Sequence, residues 1–295
     1  SRRLELPIGP ELAGIKVDTL LKRHLGLSGT VVRRIKWLED GILVDGRRVN
    51  TRYVPKVGEV LSVRLSDPER RSGIVPAPGP LDIVYEDQDL LVLNKAPGIP
   101  VHPGPGHFND TIGNFLLSYY DFRGETGDFH PVHRLDRGTS GLLVVARHPH
   151  AQEVLKQQLH TAEFQRTYLA ICVGTPLQLN GTIDAPLGPK NGSLVEQMVR
   201  PDGKPAQTHY EILQQAGPYT LLRLTLETGR THQIRVHMAY MGHPLAGDFL
   251  YGRELPGILE RPALHSANVS FFHPITKKRL EFSLPLPQDM MQLLT

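Results

Sequence analysis

Cysteine is almost missing from these 295 residues: Cys172, inside the apolar run YLAICV, stands alone. That excludes an internal disulfide framework and a cysteine-rich zinc site, and Cys172 reads as a buried strand residue. Long apolar runs are missing too. No stretch approaches the roughly 18 residues needed to cross a bilayer, and the opening segment SRRLELPIGPELAG lacks the apolar core of a secretory signal. The expectation is a cytoplasmic chain with no membrane contact. Familiar catalytic loops are equally scarce. There is no HExxH, and His232 and His237 are five apart, off one helical face. The glycine-rich PGIPVHPGPGHFND carries no GKS or GKT, so it reads as a surface loop rather than a phosphate cradle. GTSGL around Ser140 lacks the second glycine of a nucleophile elbow, which leaves a serine hydrolase without its signature. No internal repeat or low-complexity tract is present.

What is there begins with charge. The net charge is only +3, but residues 11–71 hold 13 Lys/Arg against 8 Asp/Glu, while residues 72–295 are net negative. Such asymmetry points to an anionic partner for the N-terminal segment, because phosphate binding scales with cationic contacts. A boundary follows. SDPERRSGIVPAPGP, residues 66–80, packs four prolines and two glycines into fifteen residues, which is linker composition. The expected organisation is an N-terminal domain over 1–65, a linker over 66–80 and a larger C-terminal domain over 81–295.

In the first piece, VDTLLKRHLG has a helical apolar stripe ended by Gly26, and Ser28 offers an N-cap for GTVVRRIKWLEDG. ILVDGRRVN is a hairpin turning at Asp45-Gly46, and EVLSVRL is a strand. In the second piece, LDIVYEDQDLLVLNKA reads as two strands around an acidic turn. GLLVVAR, TYLAICVG, QTHYEIL and YTLLRLTLET are further strands, whereas HAQEVLKQQLHTAE and RTHQIRVHMAYMG are helical, the latter with Thr231 as N-cap and Gly242 as stop. Strands separated mostly by loops predict an α+β fold: a mixed, largely antiparallel sheet with flanking helices, behind a small N-terminal α/β unit.

One stretch raises a question of chemistry. HPVHRLDRGTSG sets Asp136 between Arg134 and Arg137. In extended backbone Arg134 and Asp136 share a face, with His133 and Leu135 turned to the other side. A neighbouring cation favours the ionised carboxylate, which suits a nucleophile or base. The competing reading is an Asp that holds a turn by accepting from the N–H of Gly138 or Thr139. Spacing alone leaves both open.

Other segments narrow the choice. HRLDRGTSG is similar to the HRLDxxTSG signature of the RluA-type family of RNA pseudouridine synthases. LVLNKAPGIPVHPG resembles that family's NKPxGxxVHP segment through Asn94, Lys95, Gly98, Val101, His102 and Pro103. RTYLAICVG, TGRTHQIRVHMAYMGHPLAGDFLYG and LHSANVSFFHP resemble three more of its elements, in order. Together the five cover most of residues 81–290. The segment VDTLLKRHLGLSGTVVRRIKWLEDGILVDGRRV looks like the ribosomal S-four type RNA-binding domain that some of these enzymes carry in front. Departures are small: Ala96-Pro97 inverts the usual order, and Arg166 replaces a common Lys.

The resemblance implies a site-specific isomerisation of uridine to pseudouridine in structured RNA, ribosomal RNA of the large subunit first and tRNA second, with no cofactor and no metal. It carries the catalytic aspartate onto Asp136, the base-displacing arginine onto Arg134, the aromatic against the flipped base onto Tyr168, and the arginine paired with the aspartate onto Arg235. A guanidinium can occupy a vacated base position, and Arg235 can hold a carboxylate by two parallel bonds. His133, Leu135, Thr139, Gly141, Asn94 and Lys95 are expected as site scaffold. Arg33, Arg34 and Lys36 with Arg47 and Arg48 are expected to bind phosphate. A monomer with no obligate protein partner is expected. The rivals are a silent RNA-binding or ribosome assembly protein and a Ser140 hydrolase.

Overall fold

A computed structural model describes all residues, 1–295. The chain opens with β1 (Arg3–Pro7). Next comes α1 (Val17–Thr19), prolonged by a π turn over Leu20–His24, and then α2 (Gly29–Ile35). The Ser28 side chain accepts from the Val31 N–H, so the expected cap forms. β2 (Ile42–Val44), β3 (Arg47–Arg48) and β4 (Val60–Arg64) complete an antiparallel sheet ordered β1-β4-β2-β3. Asp45 and Gly46 both have positive φ, 45° and 76°, as a two-residue hairpin turn of that twist requires. Val17, Leu20, Leu21, Val31, Val32, Ile35, Leu61 and Val63 close a core distinct from the rest of the molecule.

Residues 66–80 contain no helix or strand. They are nonetheless pinned. The Asp128 carboxylate accepts from the N–H groups of Arg71 and Ser72, and Asn114 donates to the Val75 carbonyl. Arg2 reaches across to Asp89 with two bonds of 2.9 and 3.2 Å.

The second part alternates strands and helices in the order β5 (Ile83–Glu86), β6 (Leu90–Lys95), α3 (Ile112–Phe122), β7 (His130–Pro131), β8 (Ser140–Ala146), α4 (Pro149–Leu159) and β9 (Gln165–Val173). Then follow β10 (Asn180–Asp184), β11 (Leu187–Pro189), β12 (Gln197–Val199), β13 (Gln207–Ala216), β14 (Tyr219–Leu226), α5 (Gln233–Tyr240), β15 (Leu264–Phe272), β16 (Arg279–Ser283) and α6 (Gln288–Met291). A sheet runs β10-β13-β14-β9-β15-β8-β6-β5, with β16 beside β15 and β7 beside β8. Its pairings are antiparallel except β15 with β8. The fold is α+β, as expected.

Period-two alternation buries both sheet faces. Leu91, Leu93, Leu143, Val145 and Tyr168 face α3 and α5, while Leu90, Val92, Leu142 and Val144 face α4. Helix α3 was not anticipated, although Thr111 and Asn114 form a reciprocal N-terminal cap on a stripe of Ile112, Phe115, Leu116 and Tyr120. Helix α5 starts one residue later than its sequence suggested. His232, not Thr231, is the N-cap, in the left-handed region at φ 57° and without a side-chain cap bond.

Candidate active site

Asp136 sits on the loop joining β7 to β8, and the sequence dictates how that loop lies. Val132, His133 and Leu135 are buried, whereas Arg134 is exposed and Asp136 half-buried. His133 Nε2 accepts from the Val144 N–H at 3.0 Å, and burial, reinforced by Arg166, pushes its pKa down to about 3, so the ring is neutral. Leu135 belongs to the main core. The Arg137 carbonyl accepts from Gly98 N–H at 2.8 Å and from the buried Lys95 ammonium at 2.9 Å. Burial lowers the Lys95 pKa to about 7. At Gly141, φ is 111° and a Cβ would collide with the Ser266 carbonyl, so only glycine permits the local parallel pairing of β8 with β15.

The turn itself closes through the Asp136 backbone: its carbonyl accepts from Thr139 N–H at 3.0 Å. The carboxylate is left out of that bond. Its nearest cation is Arg235, with Nη1 3.9 Å from Oδ2, beyond hydrogen-bonding distance.

The expected two-bond pairing of Arg235 with Asp136 is corrected here. Arg235 makes its two parallel bonds, both 2.8 Å, to Asp248. Asp248 in turn accepts from the N–H groups of Leu250 and Tyr251. The guanidinium lies 5.4 Å from the Phe249 ring and 5.2 Å from the Tyr251 ring. Burial alone would lower its pKa, but the Asp248 bonds and the charges of Asp248 and Asp136 raise it. Arg235 is thus a fixed cation facing Asp136 across a gap. Asp248 was missed as a site residue, although it lies in the quoted segment GHPLAGDFLYG.

Tyr168 is buried on β9 between Leu224 and Ser266, and burial raises its pKa. It lines a small cavity of ≈ 70 Å³ with Asp136, Arg134, Arg235, Ile234 and Leu264. A larger cleft of ≈ 840 Å³ opens on the same carboxylate and carries Arg134, Arg137, Lys156, Arg166 and Arg230 against only Asp136 and Glu227. Charge focused in such a cleft attracts polyanions. Lys156, Arg166 and Arg230 were not expected there, because no motif brings them together.

The remaining expected residues divide. Thr139 is buried beside Asp136 and lines the small cavity. Asn94 turns away, its amide donating to Asp82 at 3.1 Å, and it lines none of these clefts. Arg33, Arg34, Arg47 and Arg48 are exposed, with Lys36 half-exposed. Ser140 does meet a histidine, His265, at 2.8 Å, but both are buried, at 4% and 2% exposure, and neither lines the clefts. A substrate has no route to that pair, and the hydrolase reading falls. Asp87, Asp89 and His273 cluster closely enough for a cation. Their atoms are engaged by Arg2, His148, Tyr85 and each other, which makes the cluster a structural junction.

Comparison with known proteins adds an independent finding. The family model described as RNA pseudouridylate synthase matches residues 89–240. The uncharacterized RNA pseudouridine synthase YjbO of Bacillus subtilis is 41% identical over 92% of this chain and 95% of its own. Ribosomal large subunit pseudouridine synthase D of Escherichia coli K12 is 41% identical over 88% of this chain and 84% of its own. Among solved structures, human RNA pseudouridylate synthase domain containing 1 aligns with a TM-score of 0.58 at 27% identity, over 70% of this chain and 85% of that one.

Proposed function

This chain belongs to the RNA pseudouridylate synthase family, and from that membership we propose that it isomerises uridines of large-subunit ribosomal RNA with Asp136 as its catalytic carboxylate. The reaction breaks the bond between uracil N1 and ribose C1′, joins C1′ to C5, and releases the C5 proton to water while the freed N1 takes one up. It conserves every other atom and exchanges no electrons, so a carboxylate and positioned cations suffice. The observation that carries the assignment is the Asp136 carboxylate itself, bonded to no partner and bordering the basic cleft, the Tyr168 cavity and a third opening beside Phe249.

Each neighbour has a task. A base within folded RNA must leave its stack, at a cost of about a few kcal/mol, and Arg134, exposed at the cleft, is free to take its place. Tyr168 offers a flat ring against the extruded uracil. Arg235 sets a positive charge 3.9 Å from Asp136 without tying up its oxygens. Residues 1–65 act as an S-four type RNA-binding domain, 66–80 as the connection and 81–295 as the catalytic domain, in a cytoplasmic monomer. The ribosomal target is supported by relatives named as ribosomal large subunit pseudouridine synthase D.

Release of tritium from RNA labelled at uridine C5 tests the chemistry. The native chain releases it and Asp136→Asn binds RNA without release; robust release by the variant would overturn the assignment. Mapping pseudouridines in total RNA with and without the gene tests the target, and loss confined to tRNA would refute the ribosomal choice.

A further inference from the structure

The basic excess that marks residues 11–71 surrounds an aromatic side chain that the phosphate-binding reading did not use. Trp37 is the chain's one tryptophan, and it follows α2 with 74% of its surface exposed. Tryptophan is rarely left so open, because its large apolar area favours burial. Cations frame it. The Lys36 ammonium lies 4.7 Å from its ring centroid, and Arg48 donates to its backbone carbonyl at 3.3 Å. Arg33 and Arg34 project into solvent one turn earlier.

We propose that Trp37 is a stacking platform for an unpaired base of the RNA substrate, with Arg33, Arg34, Lys36 and Arg48 contacting the flanking phosphates. The chemistry is that of single-stranded recognition, in which an aromatic face receives a base and neighbouring cations follow the backbone. The ammonium over one side of the indole strengthens this arrangement, since it neutralises phosphate next to the stacked base. The position fits a substrate that also occupies the active-site cleft. Arg34 shares a surface pocket with Pro149 at the start of α4, and Lys156 on the same helix lines the basic cleft. Seven helical residues separate the two, about 10 Å at the usual rise. Arg34 and the basic cleft thus lie toward opposite ends of α4.

The inference rests on RNA being the substrate, and its test fails separately from that reading. Because Trp37 is the only tryptophan, the emission of the full-length protein reports this site alone. Titration with an unmodified bacterial large-subunit ribosomal RNA transcript is expected to shift that emission and to shield Trp37 from acrylamide. Trp37→Ala is expected to raise KM for the same transcript on the order of tenfold, the loss falling on KM rather than kcat, and Trp37→Phe to raise it less. Phe122→Ala, which removes another exposed aromatic, should leave KM as it was. Unchanged emission and unchanged acrylamide access at RNA concentrations where pseudouridine forms would overturn the platform while leaving the catalytic assignment intact. A loss confined to kcat, or an equal KM rise in Phe122→Ala, would overturn it too.

Discussion

Two acidic loops face each other across one arginine, and they are built in opposite ways. At Asp248, four donors, two from Arg235 and two from backbone N–H groups, consume the carboxylate. At Asp136 the backbone carbonyl closes the turn and the carboxylate receives no hydrogen bond. A buried carboxylate with donors on both oxygens holds a helix in place and offers little to a substrate. Asp136 keeps its carboxylate oxygens free of hydrogen bonds because its turn closes through the backbone. Arg235 is a bridge, bonded to Asp248 and only charged toward Asp136.

Substitutions at the two acids and their neighbours separate their roles. Asp136→Asn should lower turnover by at least about 10³-fold, with a melting temperature close to native because no hydrogen bond is lost; a variant that unfolds would show that the loop does depend on the carboxylate. Asp248→Ala should do the reverse. Leaving Arg235 buried and unpaired costs about 3–5 kcal/mol, read by chemical denaturation, and a native stability would refute the structural role. Arg134→Ala should slow pseudouridine formation about 10²-fold, matching the few kcal/mol of base extrusion, again without a change in denaturation midpoint.

Acid separates the two loops more gently. The Asp136 loop leans on His133, and His150 and His265 are also buried, with pKa values pushed down to about 3, 4 and 4 by burial. Between those values and the unfolded value near 6.5, the unfolded chain binds protons that the folded chain refuses, so stability falls as pH drops through that window. Each histidine contributes about 1.4 kcal/mol per pH unit there. His133→Asn should flatten the dependence measured by thermal melts from pH 6.5 to 4. An unaltered slope would remove His133 from the loop's support.

Much of this molecule was legible in order along the chain. The cap at Ser28, the Asp45-Gly46 turn, the apolar strands β6 and β8 and the acid in HRLDRGTSG follow from local rules that neighbours in sequence obey. The buried and exposed sides of residues 133–136 also came out as alternation predicts. Helix α3 too carries a local signal, the Thr111–Asn114 cap at its start. The N-cap of α5 was misplaced because His232 adopts a left-handed conformation that its residue type does not announce.

The reaction family, the loop that carries Asp136 and the apolar strands on either side of it were written in the chain, since motif spacing and strand composition are local properties. Only the tertiary structure decided which carboxylate Arg235 grips, because Asp136 and Asp248 are both plausible partners until α5 is docked. It also decided where the catalytic part meets polyanions. Residues 72–295 are net negative, yet folding gathers Arg134, Lys156, Arg166 and Arg230, from four separate segments, around one cleft. Electrostatic attraction depends on distances through space, and those distances do not exist until the sheet has closed.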